Sequence, residues 1–159
     1  MQSSMPPPNL KAVSWVLMNP DTGIMIAAEN PDEKMEPASL SKLLTAYIIF
    51  REIRRGSLSQ EEEVVISENA WRTGGSRMFI EPGERISVEN LLLGMIVQSG
   101  NDAAVALAEH VAGSEESFSG LLNQVAAELG LRNSHFVNST GWPHPEHLSS
   151  ARDISLITS

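Results

Sequence analysis

The 159-residue chain has no cysteine, so it can carry no disulfide, no thiolate chemistry and no cysteine-ligated metal, and its redox compartment stays open. Basic residues are scarce: 11 Lys and Arg stand against 20 Asp and Glu, for a formal charge of −9. Phosphate binding needs clustered Lys and Arg, so this balance argues against a nucleic-acid partner. The one basic cluster, Arg51, Arg54 and Arg55, falls at the end of a predicted helix, where cations suit the dipole. No run approaches the roughly 20 apolar residues of a membrane span. The opening Met1-Gln-Ser-Ser-Met-Pro-Pro-Pro has neither the basic nor the apolar region of a signal peptide. The closest histidine spacing, His144-Pro-Glu-His147, lies in a Pro-punctuated loop with no helix to hold both rings on one face. No metal site is expected, and all four histidines are read as surface or structural.

What is present describes a globular chain, 42% hydrophobic and 19% charged. A domain of this length buries about 70% of its unfolded surface, enough for a core. Residues 1–10 are expected as a disordered segment and residues 11–159 as one domain. Two apolar runs, Ala12 to Met18 and Ile24 to Ala28, flank the turn Asn19-Pro-Asp-Thr-Gly23 and predict a β-hairpin. A helix is predicted from Ser39 to near Gly56, apolar on nearly every face. Val64 to Ile66 and Met78 to Ile80 read as short strands, separated by a Trp71 to Ser76 loop. Three helices follow: one from Ser87 broken at Ser99-Gly100-Asn101, one from Asp102 to Val111, and one from a Ser114 cap to Gly130. His135 to Val137 reads as a strand, Asn138 to Pro143 as a loop, and Ser150 with Asp153 as the capping box of a last helix.

The segment Glu36-Pro-Ala-Ser-Leu-Ser-Lys42 puts a cation in the first turn of a buried helix, where the dipole favours anions. Burial and a positive local potential both disfavour the charged amine, so the pKa of Lys42 should fall and a neutral base become accessible. Ser39 lies three residues earlier on the same helix face, with Cβ atoms ~5–6 Å apart, within reach of that amine. Together they form a nucleophile with its activator. A structural reading fits the same residues, with Ser39 as helix cap and Lys42 snorkelling to water. Ser99-Gly100-Asn101 is similarly double: a helix break with Asn101 capping the next helix, or a second motif on a loop between buried helices.

The combination and order of these motifs are those of penicillin-binding proteins and class A β-lactamases. Pro37-Ala-Ser-Leu-Ser-Lys42, Gln98-Ser-Gly-Asn-Asp-Ala103 and Ser149-Ser-Ala-Arg-Asp153 resemble the D-alanyl-D-alanine carboxypeptidases among the low-molecular-mass penicillin-binding proteins. Trp15-Val-Leu, Met78-Phe, Pro82-Gly and Leu129-Gly-Leu extend the likeness from about Lys11 onward. The resemblance implies an α+β, penicillin-binding/β-lactamase-like transpeptidase fold: a helical lobe plus an antiparallel sheet lobe of which this chain holds the N-terminal hairpin. It also implies Ser39 as acylated nucleophile, Lys42 as its base, Ser99 in proton relay and Asn101 holding the substrate amide. No cofactor is implied. The implied substrate is a peptidoglycan pentapeptide, with β-lactams as mimics, in a periplasmic or extracytoplasmic setting. The family's third motif, K-T-G on a later strand, does not occur in the chain, and Arg72-Thr73-Gly74 is a poor substitute because it precedes the second motif. Two alternatives therefore stay open: a β-lactamase or esterase using the same Ser and Lys, for which Glu146 is the nearest glutamate, or a truncated, non-catalytic piece. The hairpin's open edge further predicts a second chain, or self-association, to complete the sheet.

Overall fold

The computed structural model describes residue 7 and residues 9–159; most of the segment expected to be disordered, residues 1–6 and 8, lies outside the described residues. Strands β1 (Trp15–Met18) and β2 (Met25–Glu29) form the predicted antiparallel hairpin, with Trp15 opposite Glu29 and Leu17 opposite Ala27. Its turn is built by Asn19, whose Oδ1 accepts the N–H groups of Asp21 and Thr22, and by Gly23 at φ 66°. Ile24 is 63% exposed and Leu17 and Ile26 are also exposed, so the hairpin carries uncovered apolar side chains.

A single 3-10 turn, Ala38–Leu40, leads into α1 (Ser41–Arg55), which ends on Gly56 in the left-handed conformation at φ 77°. Leu44, Ile48 and Ile49 are fully buried in the helical core. The helix is not covered on every side as its composition predicts: Tyr47 and Phe50 are exposed. The basic cluster at its end pairs within the fold, Arg51 with Glu52 and Glu128, and Arg55 with Glu52. Strand β3 (Glu63–Val65), α2 (Glu68–Arg72) and strand β4 (Arg85–Ser87) follow, with β3 and β4 antiparallel.

Helices α3 (Val88–Val97), α4 (Asn101–Ala112) and α5 (Glu115–Glu128) pack on α1. All of Asn101 to Ala108 in α4 is buried, and its alanines let neighbouring helices come close. The hydroxyls of Ser114 and Ser150 accept the N–H groups of Ser117 and Asp153, the caps the sequence suggests, and Ser87 caps α3 in the same way through the Asn90 N–H. The last helix, α6 (Ala151–Ile157), packs against β1.

Two predicted strands are absent, each because a side chain has taken the backbone groups that a ladder would use. Met78 to Ile80 is irregular: the buried Asp102 carboxylate accepts the N–H groups of Met78, Phe79 and Ile80 at 3.0, 3.0 and 3.4 Å. Phe79 is thereby held at φ 65°, a strained conformation for a bulky residue. The strand partner of β3 is instead Arg85–Ser87. His135 to Val137 keeps a single bridge, His135 to Leu148, because the Asn123 side chain both donates to the Phe136 carbonyl and accepts its N–H.

Asp102→Ala should cost about 2–4 kcal/mol in urea unfolding, because the backbone N–H groups of Met78, Phe79 and Ile80 lose their acceptor. Asp102→Asn, which retains one carbonyl oxygen, should recover part of that loss.

Candidate active site

Pro37 and the 3-10 turn present Ser39 on an exposed corner, with the preceding Ala38 strained at φ 47°. Lys42, the second residue of α1, runs back beneath it and is 6% exposed. Its Nζ lies 3.4 Å from Ser39 Oγ and donates to the Thr140 carbonyl at 2.8 Å. Burial pushes the Lys42 amine down to about 8. A neutral amine has two N–H donors and one lone pair, so one N–H can stay on Thr140 while the lone pair faces the Ser39 hydroxyl. The amine does not snorkel, and the hydroxyl caps no helix.

The Thr140 carbonyl is aimed inward by the loop read from sequence only as a connection. Asn138 Oδ1 gathers the N–H groups of Thr140, Gly141 and Trp142 together with the Thr140 hydroxyl, and Asn138 Nδ2 donates to the Trp142 carbonyl. Gly141 is required twice: it sits at φ 84°, and a Cβ there would overlap the Ala38 carbonyl of the turn that carries Ser39. Further along α1, Thr45 Oγ1 donates to the Ser139 carbonyl at 2.8 Å. The signal for this loop was present as Asn-x-x-Gly, the residue types of a side-chain-capped turn.

Of the four histidines, read from sequence as surface or structural, His147 is the buried structural one. It is 1% exposed, its Nε2 is 2.7 Å from Ser41 Oγ, and its Nδ1 accepts the Val137 N–H at 3.1 Å. Since Nδ1 accepts, the ring proton sits on Nε2 and is donated to Ser41. Burial, with the charges of His135 and His144 adding, lowers its pKa to about 4. The other three histidines are peripheral: His110 pairs with Glu62, His135 Nδ1 meets the Glu146 carbonyl, and His144 Nδ1 accepts the Glu146 N–H.

Ser99 sits half-buried at φ 56° on the break between α3 and α4 and lines the same cavity as Ser39 and Lys42. That cavity, of about 810 Å³, has an apolar floor of Leu43, Tyr47, Phe50 and Ile96. Asn101 is not on its wall. As the first residue of α4, it donates through Nδ2 to the Gly74 carbonyl and through its backbone N–H to the Ser76 carbonyl, both at 2.8 Å. It does not cap the helix, since Gly100 holds that position. It instead pins the 73–76 loop, over which the Trp142 ring packs at Gly74 and Gly75. Arg72 pairs with Glu68 on α2, so Arg72-Thr73-Gly74 is a helix end and loop rather than a sheet strand. Among the described residues no group of three or more His, Asp or Glu is arranged to hold a metal.

A serine at the mouth of a helix start, a buried lysine behind it and a second serine across the cavity sit on the fold of the penicillin-binding proteins. Penicillin-binding protein 6B from Escherichia coli aligns with 98% of this chain and 51% of its own, at TM-score 0.94 and 38% identity. The carboxypeptidase DacD from Francisella tularensis aligns with 95% of this chain and 37% of its own, at TM-score 0.93 and 44% identity. Residues 1–159 match the family described as D-alanyl-D-alanine carboxypeptidase, and the chain belongs to that family. Among curated relatives, DacC of Escherichia coli (strain K12) is 42% identical over 156 residues, covering 94% of this chain and 39% of the relative. DacF of Bacillus subtilis (strain 168) is 42% identical over 147 residues, 92% of this chain and 38% of the relative. The chain therefore spans about two fifths of the length of these relatives.

The lowered Lys42 pKa carries a sign. Between pH 8 and 10.5 the unfolded chain holds the lysine proton and the folded chain releases it, so stability should rise with pH across that window. Below it the penalty is constant. Lys42→Met should therefore raise stability at pH 7 by on the order of 2 kcal/mol and abolish the rise, as read from thermal melts between pH 7 and 10.

Proposed function

We propose that the chain carries the acylation half of a serine D-alanyl-D-alanine carboxypeptidase acting on peptidoglycan stem peptides. The observation behind this is the Ser39–Lys42–Thr140 arrangement, in which burial lowers the amine pKa while a carbonyl holds the amine next to an exposed hydroxyl. Ser39 Oγ attacks the carbonyl carbon between two D-alanines, and its proton passes to Lys42. The tetrahedral intermediate collapses with that proton delivered to the departing D-alanine nitrogen, by way of Ser99. Water then attacks the acyl ester and restores Ser39. The Leu40 N–H is spent on the Pro37 carbonyl, which leaves the Ser39 N–H as an oxyanion donor. Asn101 keeps its Oδ1 for a substrate N–H while its Nδ2 holds Gly74. β-Lactams enter as substrate mimics and acylate the same oxygen. A β-lactamase or esterase reading is less well supported, because Glu146 is exposed and its backbone is engaged by His135 and His144.

An extracytoplasmic setting follows from that substrate; no helix among the described residues is long and apolar enough to cross a membrane. K-T-G does not occur within these 159 residues, and in the family reading that motif supplies a second oxyanion donor and the substrate-docking strand; losing one such donor typically costs about 10²–10³ in kcat. The exposed Leu17, Ile24 and Ile26 of the hairpin, with the exposed Tyr47 and Phe50, support a sheet completed by a second polypeptide or another copy of the chain.

A fluorescent penicillin should label the chain when the sheet is completed, with mass spectrometry placing the adduct on Ser39, and D-alanine should be released from a pentapeptide. An adduct on Ser41 or Ser99 would overturn the assignment. In an ultracentrifuge the isolated chain should associate or bind hydrophobic dye; a compact, dye-free 17.3 kDa monomer would remove the case for a completing partner.

A further inference from the structure

Of the two residues between Ser39 and Lys42, Leu40 points to solvent and Ser41 is fully enclosed. Ser41 opens α1, so whatever fixes it fixes the rotation of the first helical turn, and with it the directions in which Ser39 and Lys42 leave the backbone. Three contacts stitch this turn to the 138–147 segment. Two of them, Lys42 to the Thr140 carbonyl and Thr45 to the Ser139 carbonyl, end on backbone that the Asn138 turn shapes. The third runs between side chains, from His147 to Ser41 at 2.7 Å. The His147 ring has no freedom to swing away: Val137 N–H holds Nδ1, and Phe136 packs edge-on with centroids 5.5 Å apart at 86°.

We propose that His147 is a positioning residue of this site: its neutral ring, donating through Nε2–H to Ser41, fixes the first turn of α1 and so the approach of Lys42 to Ser39. The inference rests on the reading of Ser39 and Lys42 as nucleophile and base, and its central readout does not depend on activity. A histidine that merely fills the core would be replaced equally well by any side chain of similar size. The positioning role depends on which nitrogen is kept. Glutamine carries an amide nitrogen out to where Nε2 sits, whereas asparagine reaches only as far as Nδ1.

The chain has three lysines, so a sample labelled at the lysine ε-carbon gives a readable NMR titration, with the exposed Lys11 and Lys34 as internal controls. In the parent, Lys42 should titrate at about 8. His147→Gln should leave that value in place. His147→Asn and Ser41→Ala should each raise it by about one unit or more, as a loosened turn admits water to the amine. Where the parent is labelled by penicillin, the Asn and Ala variants should acylate roughly tenfold more slowly or worse. The Gln variant should stay within about threefold of the parent, and the Ser41→Ala/His147→Asn double variant should be no slower than either single one. Equal lysine titrations in the Gln and Asn variants, or an unmoved titration in Ser41→Ala, would overturn the proposal. Should the Asn variant fail to fold, Ser41→Ala, which removes one hydroxyl, decides the matter alone. A parent left unlabelled even with the sheet completed would count against the catalytic reading, while the lysine titration would still decide the positioning role.

Discussion

The hydrogen bond from the Lys42 ammonium to the Thr140 carbonyl is the contact around which the rest of the site is arranged. A lysine that is 6% exposed has lost most of its water, and one neutral carbonyl replaces only part of it. That shortfall lowers the pKa, and it has to be offset by surroundings that keep the carbonyl in place. The surroundings are correspondingly redundant: Asn138 locks the turn from within, Gly141 lets it press against Ala38, and Thr45 and Ser41 tie it to the same helix. Local strain at Ala38 and Ser99 is tolerated because α1 and α4, both deeply buried, leave these two corners no alternative.

Most of the helical lobe was legible in the sequence because its helices carry their own punctuation. Ser114 and Ser150 cap as expected, and Gly56 and Gly113 close their helices in the left-handed conformation. The hairpin was legible for the same reason, through Asn19 and Gly23. What misled was local propensity in segments whose backbone is used by a distant side chain. Met78 to Ile80 and His135 to Val137 have the composition of strands, yet Asp102 and Asn123 hold them in other shapes. No window along the chain could reveal this, because the controlling residues lie 23 and 13 positions away.

The site was half legible. Ser39 and Lys42 stand out because a cation in that turn of a buried helix is unfavourable unless it is used, and Ser99 because two buried helices break there. The acceptor for Lys42 is a backbone carbonyl, which has no residue signature at all. His147 was read with the other histidines as surface or structural, and a setting of prolines and polar residues gives no sign of which of the four is buried. Asn101 was read as holding the substrate amide; its amide nitrogen is turned toward the Gly74 carbonyl rather than the cavity.

The contacts that hold Lys42 also have an order in time. Lys42 and Thr140 are 98 residues apart, and Ser41 and His147 are 106 apart. Loops of that length close only after the intervening helices have packed, so the lysine cannot lose its water early in folding. A chain emerging from the ribosome carries Ser39 and an ordinary, fully charged lysine until residue 147 has joined the bundle. Partly folded forms therefore keep Lys42 hydrated, and its lowered pKa appears only as the helical lobe closes.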